Sequence, residues 1–257
     1  MKNTVFKMTA IAMVAASLAL AGCGKKNTGP DADSQNLGAA SPAAVAGGGL
    51  QGALSQEGQQ AAQVAALPHA DASVPLSNYV NLESGKQIMY LYYALLGKQV
   101  NYDEAATAMS PQYSAESDPF KKRDMLATLK PQIDDGISRS KGWRYFFSKE
   151  DANLSHYDLT QKGFNINNGY GSDNYSYFYD VPQYTYSYSN GDGASHFLSI
   201  PDENLARKIE SMRGSLSLKF YGFMQVSDPD NKRVKAQLVR IDLLDNRGNV
   251  LVSQPVQ

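Results

Sequence analysis

Cysteine and histidine are scarce in this chain. Its 257 residues hold one cysteine, Cys23, and three histidines, His69, His156 and His196. A lone cysteine excludes an internal disulfide and a multi-thiolate metal site. H-E-x-x-H is absent, which removes the two-histidine helix face of the zinc peptidases. No G-x-S-x-G nucleophile elbow occurs; Arg213-Gly214-Ser215-Leu216-Ser217 has no second glycine. Gly85-Lys86 and Gly97-Lys98 are not phosphate loops, because the glycine needed five residues earlier is Val80 in one and Tyr92 in the other. Asp228 to Lys232 has neither the sixth-position glycine of a calcium loop nor its downstream bidentate glutamate, so it reads as a hairpin turn. Neither sign of charge dominates: 24 Lys and Arg stand against 25 Asp and Glu. A formal net charge of −1 gives no basic footprint for nucleic acid. No metal and no cofactor is expected.

What is present begins at the amino terminus. Lys2 and Lys7 form a positive region, and Met8 to Ala21 is an uncharged, mostly apolar run ending in small residues. That is the anatomy of a secretory signal. A spanning helix needs ~20 apolar residues to cross a ~30 Å hydrocarbon core, and this run is shorter. It is followed by the polar Gly24-Lys25-Lys26. Leu20-Ala21-Gly22-Cys23 resembles the lipobox of bacterial lipoproteins, and the resemblance covers residues 1 to 24. It implies diacylglycerol on the Cys23 thiol, cleavage after Gly22 and amide acylation of the new terminus. Two anchoring signals already hold a protein stably on a membrane, so Cys23 would be a permanent lipid anchor. An aspartate after the cysteine commonly retains such proteins at the inner membrane. Gly24 stands there instead, which implies the outer membrane of a two-membrane cell, with the protein facing the periplasm or the surface. Loss of Lys2 and Lys7 takes the net charge to about −3.

Residues 23–77 are rich in Gly, Ala, Ser, Gln and Asn, and 39–53 approach low complexity. Such a segment buries too little apolar surface to offset its ordering entropy, so it is expected to be a disordered tether. At about 5–6 Å × √n, some fifty residues reach roughly 40 Å. A short helix around Gln56 to Ala66 has suitable composition but no apolar face. Residues 78–257 are read as a single globular domain.

Its first part is helical by pattern. Ser84 with Gln87 is a capping box, followed by Ile88, Leu91, Tyr92, Leu95 and Leu96 at helical spacing up to Gly97. Asn101 and Glu104 repeat the cap before a helix ending near Ser110-Pro111. Asp118-Pro119 opens a third, with Phe120, Leu126, Leu129, Ile133 and Ile137 inward and Pro131 expected to kink or divide it. Strands follow Gly142, interrupted by one helix capped by Asp202 and ended by Gly214. Leu216 to Val226 alternate with period two. In the next strand Val234, Ala236 and Leu238 have one parity and Val239, Ile241 and Leu243 the other, which calls for a bulge or a strand covered on both sides. Asp245 to Asn249 make the next turn and Val250 to Val252 close the meander. The fold class is α+β: an N-terminal helical layer, then a mostly antiparallel sheet, preceded by the tether.

Three groups of residues invite a functional reading. Tyr175, Tyr177 and Tyr179 alternate, as do Tyr184, Tyr186 and Tyr188, with Asp180-Val181-Pro182-Gln183 between them. As a hairpin they would form either an aromatic binding surface for glycan, peptide or protein, or packing against the helical layer. His156 and Asp158, two apart, share a strand face and could orient an imidazole for base catalysis, or form a surface hydrogen bond. Lys121, Lys122, Arg123, Lys130, Arg139, Lys141, Arg144 and Lys149 could face anionic lipid or phosphorylated glycan, or be a solvated helix face.

The globular part resembles an uncharacterised domain family of exported bacterial proteins, through Gly85 to Leu95 (GKQIMYLYYAL), His156-Tyr157-Asp158-Leu159 and Lys162-Gly163-Phe164. That resemblance implies no activity or site residue. The expectation is a non-catalytic binding or envelope-assembly lipoprotein held to the membrane by its lipid, with an envelope protein or glycan as partner. The alternatives are an envelope hydrolase using His156 and Asp158, or a passive structural lipoprotein.

Overall fold

The computed structural model describes residues 6–9, 62 and 65–256. Cys23, most of the expected tether and most of the short helix expected around Gln56 to Ala66 lie outside the described residues. The described chain is α+β. Its helices are α1 (Gly85–Leu96), α2 (Tyr102–Met109), α3 (Pro111–Ala115), α4 (Pro119–Ser140) and α5 (Glu203–Met212). Its strands are β1 (Phe6–Thr9), β2 (Val80–Asn81), β3 (Tyr145–Asp151), β4 (Gly163–Asn165) and β5 (Asn174–Tyr177), then β6 (Thr185–Tyr188), β7 (Phe197–Ser199), β8 (Ser217–Asp228), β9 (Arg233–Leu244) and β10 (Val250–Pro255).

The helices start where local hydrogen bonding dictates. Ser84 accepts from the Gln87 amide and the Gln87 side chain returns to the Ser84 amide, so two orphan donors are satisfied at once. Gly97 ends α1 in the left-handed region at φ 64°. At the starts of α2, α3, α4 and α5 the side chains of Asn101, Ser110, Asp118 and Asp202 accept from first-turn amides, without the reciprocal bond. Of two expectations for the third helix, the first is narrowed and the second corrected. Pro131 does not divide α4, which runs unbroken from Pro119 to Ser140. Pro131 and Ala127 both face solvent, so the carbonyl that loses its amide partner can turn to water. Phe120, expected inward, is 69% exposed: the apolar stripe is buried at Ile133 and Ile137 and packs partly on the core through Leu126 and Leu129, but it does not reach the first turn.

The main sheet has the order β1-β5-β6-β9-β8-β3-β2, with β10 also on β9, while β4 and β7 form a separate pair. It is mostly antiparallel; β6 runs parallel to β9 and β2 parallel to β3. The β8–β9 ribbon is its longest pairing, twelve residues in each strand. The parity change in β9 is a bulge. Tyr221 pairs with Arg240 and Gly222 with Leu238, which leaves Val239 as the extra residue. Leu238, Ile241 and Leu243 consequently all turn inward and are fully buried.

Gly222 sits at this irregularity for a steric reason. A Cβ there would lie 2.5 Å from the ring of Phe146, its β3 partner. Gly222→Ala should therefore lower stability by about 1–3 kcal/mol, the usual cost of overpacking. Urea unfolding of the two proteins measures it; an unchanged midpoint would mean the ring has room to move.

Candidate functional site

The register of one short pairing decides what the tyrosines do. Ser176 lies directly opposite Tyr186, so these two share a sheet face. Tyr184, Tyr186 and Tyr188 then point inward with Ser176, and Tyr175 and Tyr177 point outward with Thr185 and Ser187. The two triplets never share a surface. Tyr184, Tyr186 and Tyr188 are core residues, at most 3% exposed. The Tyr184 hydroxyl meets that of Tyr93 on α1 at 2.9 Å, and its ring stands edge-on to Tyr92. Tyr186 and Tyr188 pack on Phe146. Burial pushes all three phenols well above their ordinary range, so they are neutral at any physiological pH.

The other triplet forms an outward row. The rings of Tyr175 and Tyr177 are 6.4 Å apart and those of Tyr177 and Tyr179 are 5.8 Å apart. The Arg233 guanidinium lies 4.8 Å from the Tyr175 ring centroid. Tyr179 is 57% exposed. Stiff rings beside a stacked cation offer apolar area, hydroxyls and charge together, a combination suited to peptide or glycan contact.

The same outer face carries a second aromatic group that the sequence reading missed. Tyr145 and Phe147 of β3 pair with Phe223 and Tyr221 of β8. Lys219 sits 3.6 Å from the Phe147 ring centroid, and Arg144 lies 4.6 Å from that of Phe223. Burial lowers the pKa of both cations. The signal was present as aromatic residues at the polar parity of β8. Residues 65–79, which composition assigned mostly to the tether, cross this face. The Ala70 amide donates to Gln237, the Asp71 amide to the Tyr145 hydroxyl, and Gln225 donates to the Pro68 carbonyl. Tyr79 then stands edge-on to Tyr145 and Tyr221. Composition measured the apolar content of this strap, but hydrogen bonds between its backbone and side chains of the sheet hold it.

His156 and Asp158 are not a pair. Asp158 accepts from the amides of Thr160 and Gln161 at 2.8 Å each, closing a turn. His156 instead places Nδ1 2.8 Å from Glu210 of α5 and Nε2 3.2 Å from the Arg213 guanidinium. Both ring nitrogens thus face a partner, a carboxylate at Nδ1 and a guanidinium at Nε2, and neither partner is Asp158. Glu210 also accepts from the Tyr157 amide, and Arg213 donates to the Leu154 carbonyl. The cluster fastens the 154–158 segment to α5. A shallow depression of about 620 Å³ beside it is lined by His156, Tyr157, Leu159, Ala206 and Arg207. His196 stacks on Tyr170 at 4.2 Å and approaches the Ile166 carbonyl, away from this cluster.

The cations of α4 are largely engaged locally. Arg123 pairs with Asp124, Arg139 with Asp135 and Lys122 with Asp103, while Lys130 lies over the Tyr102 ring. Among the described residues no group of His, Cys, Asp or Glu is arranged to hold a metal, and no helix is long and apolar enough to cross a membrane. Comparison of the chain with protein-family models, with curated proteins and with solved structures returns no match.

The two tyrosine groups should separate on mutation. Tyr186→Ala should cost about 3–5 kcal/mol, whereas Tyr179→Ser should stay within about 0.5 kcal/mol. Chemical denaturation of each variant checks this, and equal losses would contradict the opposite-face register.

Glu210 supplies a pH test. Burial raises its pKa, but hydrogen bonds from His156 and the Tyr157 amide, with the Arg213 charge, outweigh this and hold it below the ordinary carboxylate value. A depressed folded pKa contributes stability that is present above the unfolded value near ~4.3 and lost as pH falls through the folded one. Glu210→Gln should thus be the less stable protein at pH 7. Its deficit should shrink as pH drops below about 4.3, as read from urea midpoints across pH 3–7.

Proposed function

We propose that this protein is an outer-membrane lipoprotein, anchored through an acylated Cys23, whose α+β domain is a non-catalytic binding or envelope-assembly module facing the periplasm or the cell surface. The observation that carries the reading is the sequence of residues 1–24: a positive start, a short apolar run and Leu20-Ala21-Gly22-Cys23. Binding is favoured over catalysis by the outward row of Tyr175, Tyr177 and Tyr179 beside Arg233, and by the engagement of both His156 nitrogens. The partner is an envelope protein or glycan, and the contact is the tyrosine row. Tyr184, Tyr186 and Tyr188 support that row from the core and do not touch the partner.

Mass spectrometry of the amino-terminal peptide from membranes tests the anchor. It should begin at Cys23 and carry acyl chains on sulfur and nitrogen, and Cys23→Ser should abolish processing. A peptide beginning at Met1 would remove the proposal. In the same samples, Tyr175→Ser with Tyr177→Ser and Tyr179→Ser should erase crosslinks formed by the wild-type domain while leaving the acylated peptide unchanged.

A further inference from the structure

One end of the main sheet is β1, which lies on β5 and comes from near the amino terminus of the chain. β1 pairs antiparallel with β5 over its whole length, with Phe6 opposite Tyr177, Lys7 opposite Ser176, Met8 opposite Tyr175 and Thr9 opposite Asn174. These residues fall in the segment that the proposed signal peptidase cut would discard. After that cut the ladder amides and carbonyls of β5 facing β1 would lose their partners.

β5 is poorly defended against taking another strand. Sheet edges are normally blunted by short length, charge, proline or a bulge. The far edge follows this rule, since β2 is only two residues long. β10 has a register irregularity between Val250 and Val252 and ends in Pro255. Asn174-Tyr175-Ser176-Tyr177 is four residues long, twice the length of β2; it contains no charge and no proline, and its pairing with β1 is regular. Its outward residues are Tyr175 and Tyr177, with Arg233 stacked on the first. Such an edge offers main-chain hydrogen bonds for affinity and an aromatic row for side-chain selection.

We propose that in the mature protein the β5 edge takes up an extended segment of an envelope protein as an added antiparallel strand, with bulky apolar residues opposite Tyr175 and Tyr177 and polar residues between them. The segment β1 would be a stand-in for that ligand: Phe6-Lys7-Met8-Thr9 already has this alternation. The proposal rests on the removal of residues 1–22 and specifies how the tyrosine row would engage its partner.

The probe is a fluorescein-labelled peptide with the sequence of Thr4 to Ala10, titrated by fluorescence anisotropy. Three proteins receive it: the chain from residue 23 with Cys23→Ser, the full chain, and the full chain with Met8→Pro, each checked for native circular dichroism. The first and third should bind, and the second should not, because its edge is filled. Two further peptides are N-methylated, one at Phe6 and Met8, the other at Lys7 and Thr9. In an antiparallel pair alternate amides face the neighbouring strand. One methylated peptide should therefore lose affinity by about tenfold or more, as expected for two lost ladder bonds, while the other binds as the parent does. Equal binding of both methylated peptides, or no binding of the parent to the chain from residue 23, overturns the proposal. So does a stable dimer of that chain in sedimentation, which would make a second copy the occupant. The mass spectrum of the amino terminus reports independently on cleavage, so failure of the anchor and failure of strand addition are told apart.

Discussion

The β8–β9 ribbon is the constraint on which the rest of the molecule is built. Each of its strands is long enough to cross the whole sheet, and its two register irregularities set which side chains face the helices. With Val239 taken out of the ladder, β9 keeps its apolar residues on the inner face along its full length. The inner face then collects Leu218, Phe220 and Met224 with Val234, Ala236 and Leu238, all fully buried. β3 joins beside β8, and Phe146 drops over Gly222, where only a glycine leaves room for the ring. β6 joins on the other side of β9, bringing Tyr184, Tyr186 and Tyr188 into the same core. α1 closes over these rings through Tyr92 and Tyr93. A shift of one residue in β9 would expose half of this core, because side chains alternate faces at every step along a strand.

The opposite face of the sheet is aromatic without being core. Near β3 and β8 its rings are interleaved with Lys219 and Arg144 and crossed by residues 65–79. Near β5 the rings are those of Tyr175 and Tyr177, held beside Arg233. The proposed function uses the second group. The first has an intramolecular occupant, and the hydrogen bonds to Pro68, Ala70 and Asp71 hold that occupant in place. That strap joins the domain at its sheet rather than at a helix end.

Where local chemistry decides, the sequence was informative. Ser84 with Gln87, Asn101 with Glu104, Asp118 before Pro119, and Asp202 all cap helices as their spacing indicates, because a cap is satisfied within four residues of chain. The β9 bulge was legible for a related reason, since burial on one face leaves a parity record in the residues themselves. Of the two outcomes expected at Pro131, division does not occur, because the cost of a proline depends on which side of the helix loses its hydrogen bond, and that side is set by packing. His156 and Asp158 misled because neighbours two apart share a face only in a regular strand. Here Asp158 turns back on Thr160 and Gln161, and the partner of His156 comes from fifty-four residues away.

The tyrosines divide along the same line. Alternation alone establishes that each triplet keeps to one side of its strand, a property of the extended backbone. Which side each triplet takes follows from the pairing of Ser176 with Tyr186, a contact between separate strands that leaves no trace in either strand alone. The amino-terminal signature, the helix caps, the α+β order and the strand parities belong to the chain, because each is written within a few consecutive residues. The division of the aromatics into core and surface, the strap across the sheet and the engagement of His156 belong to the fold, because each requires segments distant in sequence to meet.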